Sequence, residues 1–137
     1  MRERTLIIIK PDGYERNLSD QILQRFIDKG FTVVERRDMT ISRELAELHY
    51  AEHKGKPFYP SLVDYITSGP VTVAILEGDD AIVRARDLMG PTDPAKATPG
   101  TIRGDFGESI DRNTIHGSDS PASAQREISL FFGDVEG

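Results

Sequence analysis

A chain of 137 residues with 37% hydrophobic and 29% charged side chains has the size and balance of one globular domain, expected to span residues 1–137. No apolar run approaches the roughly 20 residues needed to cross a bilayer, and the start lacks a signal-peptide pattern, so cytoplasmic residence is expected. A formal net charge of −6 argues against a broad basic grip on nucleic acid or anionic lipid, and the absence of cysteine excludes disulfides, thiol nucleophiles and thiolate metal sites.

Taken in chain order, Thr5-Leu6-Ile7-Ile8-Ile9 reads as a buried central strand stopped by the turn residues Lys10-Pro11-Asp12-Gly13. From a cap at Ser19 or Asp20, Ile22, Leu23, Phe26 and Ile27 recur at helical spacing until Gly30. Residues 31–39 read as a second strand. Ser42 caps a helix carrying Leu45, Leu48 and Ala51, and Pro60 opens another with Leu62, Tyr65 and Ile66. A buried strand is expected over residues 71–76, then a helix capped by Asp79-Asp80 and running to Met89. Gly90-Pro91 begins an irregular stretch reaching Asn113, long enough to suggest a functional loop. Ser120-Pro121 starts a short helix to about Ile128, and Ser129-Leu130-Phe131-Phe132 is expected to supply the last strand. This order suits an α+β, ferredoxin-like split βαβ fold: a four-stranded antiparallel sheet with helices on one face plus a long irregular loop.

The densest polar cluster is Arg112-Asn113-Thr114-Ile115-His116-Gly117-Ser118-Asp119-Ser120. An isolated histidine is ordinarily a surface residue. Here Gly117 removes bulk beside the ring, while Ser118 and Glu127 offer groups able to orient an imidazole and fix its tautomer. Phosphoryl transfer needs cations gathered on non-bridging oxygens, and Lys10, Arg86 and Arg103 sit beside loops, though each alone would pass for a solvated charge. The glycines flanking Arg103 permit close backbone approach to a ligand or simply make turns. His49-Tyr50-Ala51-Glu52-His53 fits the H-x-x-E-H pattern of inverted zinc peptidases, which keeps a zinc hydrolase using His49, Glu52 and His53 as a rival. Asp105-Phe106-Gly107 matches a protein-kinase triplet, but no His-Arg-Asp loop accompanies it, and no G-x-x-x-x-G-K-[ST] loop is present.

The run Asn113-Thr114-Ile115-His116-Gly117-Ser118-Asp119 closely resembles the N-x-x-H-G-S-D signature of nucleoside diphosphate kinases. Landmarks in family order extend the resemblance over nearly the whole chain: Lys10-Pro11-Asp12-Gly13, His49-Tyr50, Lys56-Pro57-Phe58, Ser68-Gly69-Pro70-Val71, the segment from Pro99 to Phe106, and Glu127. The resemblance implies a ping-pong reaction in which a nucleoside triphosphate, typically ATP, phosphorylates His116 and a nucleoside diphosphate then takes the phosphoryl group, with Mg2+ carried by the nucleotide and no metal held directly by the protein. It further implies that Lys10, Tyr50, Arg86, Thr92, Arg103 and Asn113 contact phosphates and sugar, that Ser118 and Glu127 orient His116, and that Phe58 and Ile110 sandwich the base. A homo-oligomer, tetramer or hexamer, is implied as well; the chain ends at Gly137 without the tail of longer relatives, which leaves the two open and looks bacterial. Many relatives carry glycine where this chain has Asn17 and Asp20, a departure touching the turn before the first long helix. Fold alone would also suit a non-catalytic ligand-binding module.

Overall fold

The computed structural model describes residues 2–109 and 112–133. Strand β1 (Arg2–Ile9) carries the apolar run, and its pleat splits that run between two cores. Ile7 and Ile9 join Phe26, Phe31, Leu76 and Met89 on one face, whereas Leu6 and Ile8 join Ile41, Val63, Val73 and Phe131 on the other. A strand covered on both faces needs no polar alternation, which is why its apolar residues are continuous. Each such side chain contributes roughly 1.5–3 kcal/mol by leaving water.

The elements that follow are α1 (Pro11–Glu15), α2 (Ser19–Asp28), β2 (Thr32–Met39), α3 (Arg43–His49) and α4 (Tyr59–Ile66). Next come β3 (Val71–Asp79), α5 (Ala81–Met89), α6 (Ile102–Phe106), β4 (Ile115–Gly117) and α7 (Pro121–Phe132). The sheet is antiparallel with order β2-β3-β1-β4, the split βαβ arrangement expected. The helices are not confined to the one face expected: α2 and α5 cover one side, while α3, α4 and α7 find apolar surface to bury on the other, so the sheet is the middle layer of three.

The last strand is not where its apolar residues suggested. Residues 129–132 continue α7 to Phe132, where Phe131 is buried and Leu130 and Phe132 pack partly against the second core. Four apolar residues in a row cannot distinguish strand from helix. The sheet edge beside β1 is instead taken by β4, pairing Ile8 with His116 and Ile7 with Gly117. Its polar composition and three-residue length hid it. The irregular stretch over 90–113 is also partly ordered, with a 3-10 turn over Pro94–Lys96 and α6.

Caps divide similarly. Ser42 and Ser120 accept from the backbone N–H groups of Leu45 and Ser123, as their positions predict. Ser19 lies inside α2 and shares a 2.8 Å hydrogen bond with Thr72, while Asp20 meets Arg36, so neither caps that helix. Asp80 holds the cap position of α5 without a side-chain cap bond; Glu3, from β1, accepts from the N–H of Ile82 at 2.9 Å. Asn17 adopts φ 59°, a left-handed conformation asparagine tolerates well. The turn therefore survives the replacement of glycine.

Candidate active site

β4 is short, but its register decides the site. Ile115 turns into the first core, and His116, one residue on, projects to the opposite face with Ile8. Gly117 follows because a Cβ there would lie 2.6 Å from Met89 Sδ. Just before β4, Thr114 is held at φ 76°, strained for a β-branched residue. Its hydroxyl donates to Asp12 at 2.8 Å and its carbonyl accepts from the N–H of Lys10 at 2.8 Å, so the turn after β1 locks the approach to the histidine.

On that face His116 Nε2 lies 2.8 Å from Glu127 Oε1, and the same carboxylate oxygen accepts from Ser118 Oγ at 2.8 Å. Ser118 thus touches Glu127, and any influence on the ring passes through that carboxylate. Burial pushes the Glu127 pKa up, but the hydrogen bond and charge of His116, with His49 and Ser118, outweigh it and hold the group below the usual carboxylate range. An ionised Glu127 favours a proton on Nε2, which leaves Nδ1 as the nitrogen with a free lone pair.

Beside the ring opens a cavity of about 510 Å3. Lys10, Tyr50, Phe58, Arg86, Thr92 and Arg103 line it, and so do Asn113, His116 and Glu127, brought from six separate stretches of chain. Of the residues singled out in the sequence, Ser118 lies beneath the lining and Ile110 lies outside the described residues. Lys10 Nζ donates to Asn113 Oδ1 at 2.8 Å, and Asn113 Nδ2 donates to Thr92 O at 3.2 Å. Arg103 donates to the carbonyls of Gly90 at 2.9 Å and Ile115 at 2.7 Å, and its Nε has no partner among the described residues. Burial, then the charge of Arg86, lowers its pKa to about 10, so the guanidinium remains charged at neutral pH. Such a wall of nitrogen cations suits the oxygens of a polyphosphate. Burial, then the charge of Glu127, raises the Tyr50 pKa, so its hydroxyl stays protonated.

One open reading from the sequence is settled and another is overturned. Gly104 does not make room for a ligand, since a Cβ on it would stand 2.2 Å from the carbonyl oxygen of Thr98; it allows the loop to fold onto α6. The zinc-peptidase pattern dissolves because α3 ends at His49 and the chain turns through a 3-10 segment over Ala51–His53, losing the helical spacing that would align the two histidines. Among the described residues the metal-capable grouping is instead His49, His116 and Glu127. His49 itself is packed into the interior, 3% exposed and edge-on to His116 with ring centroids 4.8 Å apart. Desolvation, with the nearby His116, lowers its pKa to about 3. Asp119, within the polar run around His116, lines the cavity as well, whereas the sequence gave no sign that Leu62 does.

The family model for nucleoside diphosphate kinase matches residues 3–136. The chain is 60% identical over 134 residues to a nucleoside diphosphate kinase of Pelotomaculum thermopropionicum, covering 98% of this chain and 90% of that protein. Among solved structures it is similar to the nucleoside diphosphate kinase of Aquifex aeolicus, with TM-score 0.94, 45% identity and 96% of each chain covered. It is equally similar to that of Halobacterium salinarum in complex with CDP, with TM-score 0.94, 49% identity and coverage of 98% of this chain and 90% of that one.

Proposed function

The chain belongs to the nucleoside diphosphate kinase family, and from that premise we propose that His116 carries the phosphoryl group between two nucleotides. The enzyme moves the terminal phosphoryl group of a nucleoside triphosphate, typically ATP, to a nucleoside diphosphate, reversibly, which maintains the pools of nucleoside and deoxynucleoside triphosphates. One observation carries the residue assignment: Glu127 holds His116 Nε2 at 2.8 Å on the wall of a cavity that Lys10, Arg86 and Arg103 also line.

In the first half-reaction the Nδ1 lone pair attacks the terminal phosphorus, the N–P bond forms as the P–O bond to the leaving diphosphate breaks, and the diphosphate departs. In the second, a terminal oxygen of another nucleoside diphosphate attacks the same phosphorus and the imidazole is restored. Glu127 keeps the Nε2 proton in place and offsets the positive charge the ring gains on phosphorylation; Ser118 holds that carboxylate still. Lys10, Arg86 and Arg103 neutralise phosphate oxygens, and Tyr50, Thr92 and Asn113 offer hydrogen bonds to phosphate and sugar. One pocket serves donor and acceptor in turn, so one set of cations works twice.

Divalent-metal dependence is general in this kind of kinase, and we assign Mg2+. That ion takes oxygen ligands in near-octahedral geometry; the cavity presents nitrogen cations, a Glu127 oxygen already shared by His116 and Ser118, and the single carboxylates of Glu52 and Asp119, enough to complement a metal that keeps water and phosphate oxygens as its other ligands. These residues fit an ion that enters on the phosphates, where it supplies further charge neutralisation. Phe58, half exposed at the rim, offers one face to the base, and Ile110 is assigned the other; apolar contact accepts every base. The whole of residues 1–137 is assigned to a single kinase domain of a cytoplasmic homo-oligomer, tetramer or hexamer, on the family resemblance. No described helix is long and apolar enough to cross a membrane.

Incubation with γ-labelled ATP tests the assignment. Acid-labile, base-stable label on the intact chain, absent from His116→Ala, is the expected result. A His116→Ala chain that still exchanges phosphate between ATP and a second diphosphate at the normal rate ends it. Turnover in that variant is expected to fall on the scale of the ~10^6-fold loss that follows removal of a nucleophile.

A further inference from the structure

His49 is a buried polar group at the cavity that phosphoryl transfer leaves unused. It is buried between α3, α7 and β4, it packs on Tyr50, His116 and Phe131, and neither ring nitrogen has a hydrogen-bond partner among the described residues. Leaving a buried polar group unpaired is costly, and a phenylalanine or leucine would satisfy the packing without it. The ring nonetheless faces the cavity, and it stands beside two other donors: one ligand atom from each of His49, His116 and Glu127 lies within 4.8 Å of the others.

Two imidazole nitrogens and a carboxylate oxygen form a donor set for a borderline-soft divalent ion. It is a poor set for Mg2+, which takes oxygens. Around tetrahedral zinc, bonds of about 2.0–2.2 Å put neighbouring donors roughly 3.4 Å apart, so rotations of His116 and Glu127 that bring the three atoms inward would complete three corners. The fourth corner opens to the cavity. We propose that His49, His116 and Glu127 form a binding site for a borderline-soft divalent cation of the Zn2+ type, and that its occupancy withholds His116 from phosphoryl transfer. The ion accepts a lone pair from each ring and from the carboxylate; if Nε2 of His116 is the ligating nitrogen, its proton leaves to solvent and the bond to Glu127 is exchanged for coordination. The binding stands on geometry alone, and only its inhibitory consequence rests on His116 as the phosphoryl carrier.

Calorimetric titration of the full chain with ZnCl2 at neutral pH, without nucleotide, should give one ion per chain, and MgCl2 should give no such binding. His49→Gln should weaken zinc by more than the roughly 10- to 100-fold that losing a mere hydrogen-bond partner of a ligand costs, whereas His53→Gln, on the rim, should leave it unchanged. Because a buried substitution can unfold the chain, CoCl2 added to the wild type supplies a second reading: intense visible absorption of four-coordinate Co2+, displaced by one equivalent of Zn2+. Zinc affinity indifferent to His49→Gln, or lost in His53→Gln, overturns the site, as does a Co2+ spectrum no different from the aqueous ion. Zinc-loaded chain should take no label from ATP until chelator is added; normal labelling of the loaded chain overturns the inhibition. A chain that binds zinc through these residues but never forms phosphoenzyme defeats the kinase assignment instead, and one that labels normally but binds no zinc defeats this inference.

Discussion

The inner wall of the cavity and its rim are built by opposite means. On the wall, Lys10 reaches Asn113, Asn113 reaches Thr92, and Arg103 ties Gly90 to Ile115, so parts distant in sequence are fixed by directional hydrogen bonds. The rim comes from one local segment, in which the rings of Tyr50, His53 and Phe58 meet in succession, tilted and then edge-on, and Lys56 Nζ stands 5.7 Å from the Phe58 ring centre. Phosphate is the same in every nucleotide and rewards rigid charge and geometry. Bases differ, and a half-exposed aromatic face makes no demand on their edges.

The sharpest way to break this contrast is on the wall. Arg103→Ala removes a cation and two carbonyl contacts at once, and kcat is expected to fall by about 10^2- to 10^3-fold, the usual loss for one donor to a developing anion. The phosphoenzyme should still form slowly; steady-state and single-turnover kinetics with labelled ATP measure both. An effect no larger than that of a rim substitution would dissolve the distinction.

At the back of the cavity, His49 tests how firmly the packing around it is closed. Its pKa in the folded chain is about 3, against 6.5 for an exposed histidine, so below pH 6.5 the unfolded chain binds a proton the folded chain refuses. Its contribution is therefore present in full above pH 6.5 and is lost as the pH falls from 6.5 toward 3. At about 1.4 kcal/mol per unit of pKa difference, the loss amounts to a few kcal/mol. Denaturant melts of metal-free protein across that range should show the decline, and His49→Gln should flatten it; parallel curves for the two chains would mean that the ring titrates freely.

The rim should yield the smallest effect. Phe58→Ala is expected to weaken nucleotide binding by about 1–2 kcal/mol, within the range for loss of one stacking partner. KM should rise by a similar factor for adenine, guanine, cytosine and uracil nucleotides, with kcat for saturating substrate little changed. A loss confined to one base would reveal an edge contact and contradict the role given to the rim.

Much of this was legible in residues near one another in sequence. The run from Leu6 to Ile9 announced a buried strand, the spacing of Ile22, Leu23 and Phe26 announced α2, Ser42 and Ser120 marked helix starts, and the polar run around His116 marked the site. Such signals are local, because propensity, capping and period act within a few residues. What the chain alone left undecided depends on partners far away. Residues 129–132 became helix because the edge of β1 was already taken by β4 and their apolar side chains had a core to fill from α7. Glu3, not Asp80, capped α5 from across the sheet. His49, part of a false zinc pattern with its sequence neighbours, came to rest against His116, 67 positions away in the numbering. Local sequence sets what a segment prefers; burial and hydrogen bonding between distant segments decide which preference is realised, because only the folded chain brings those partners within reach.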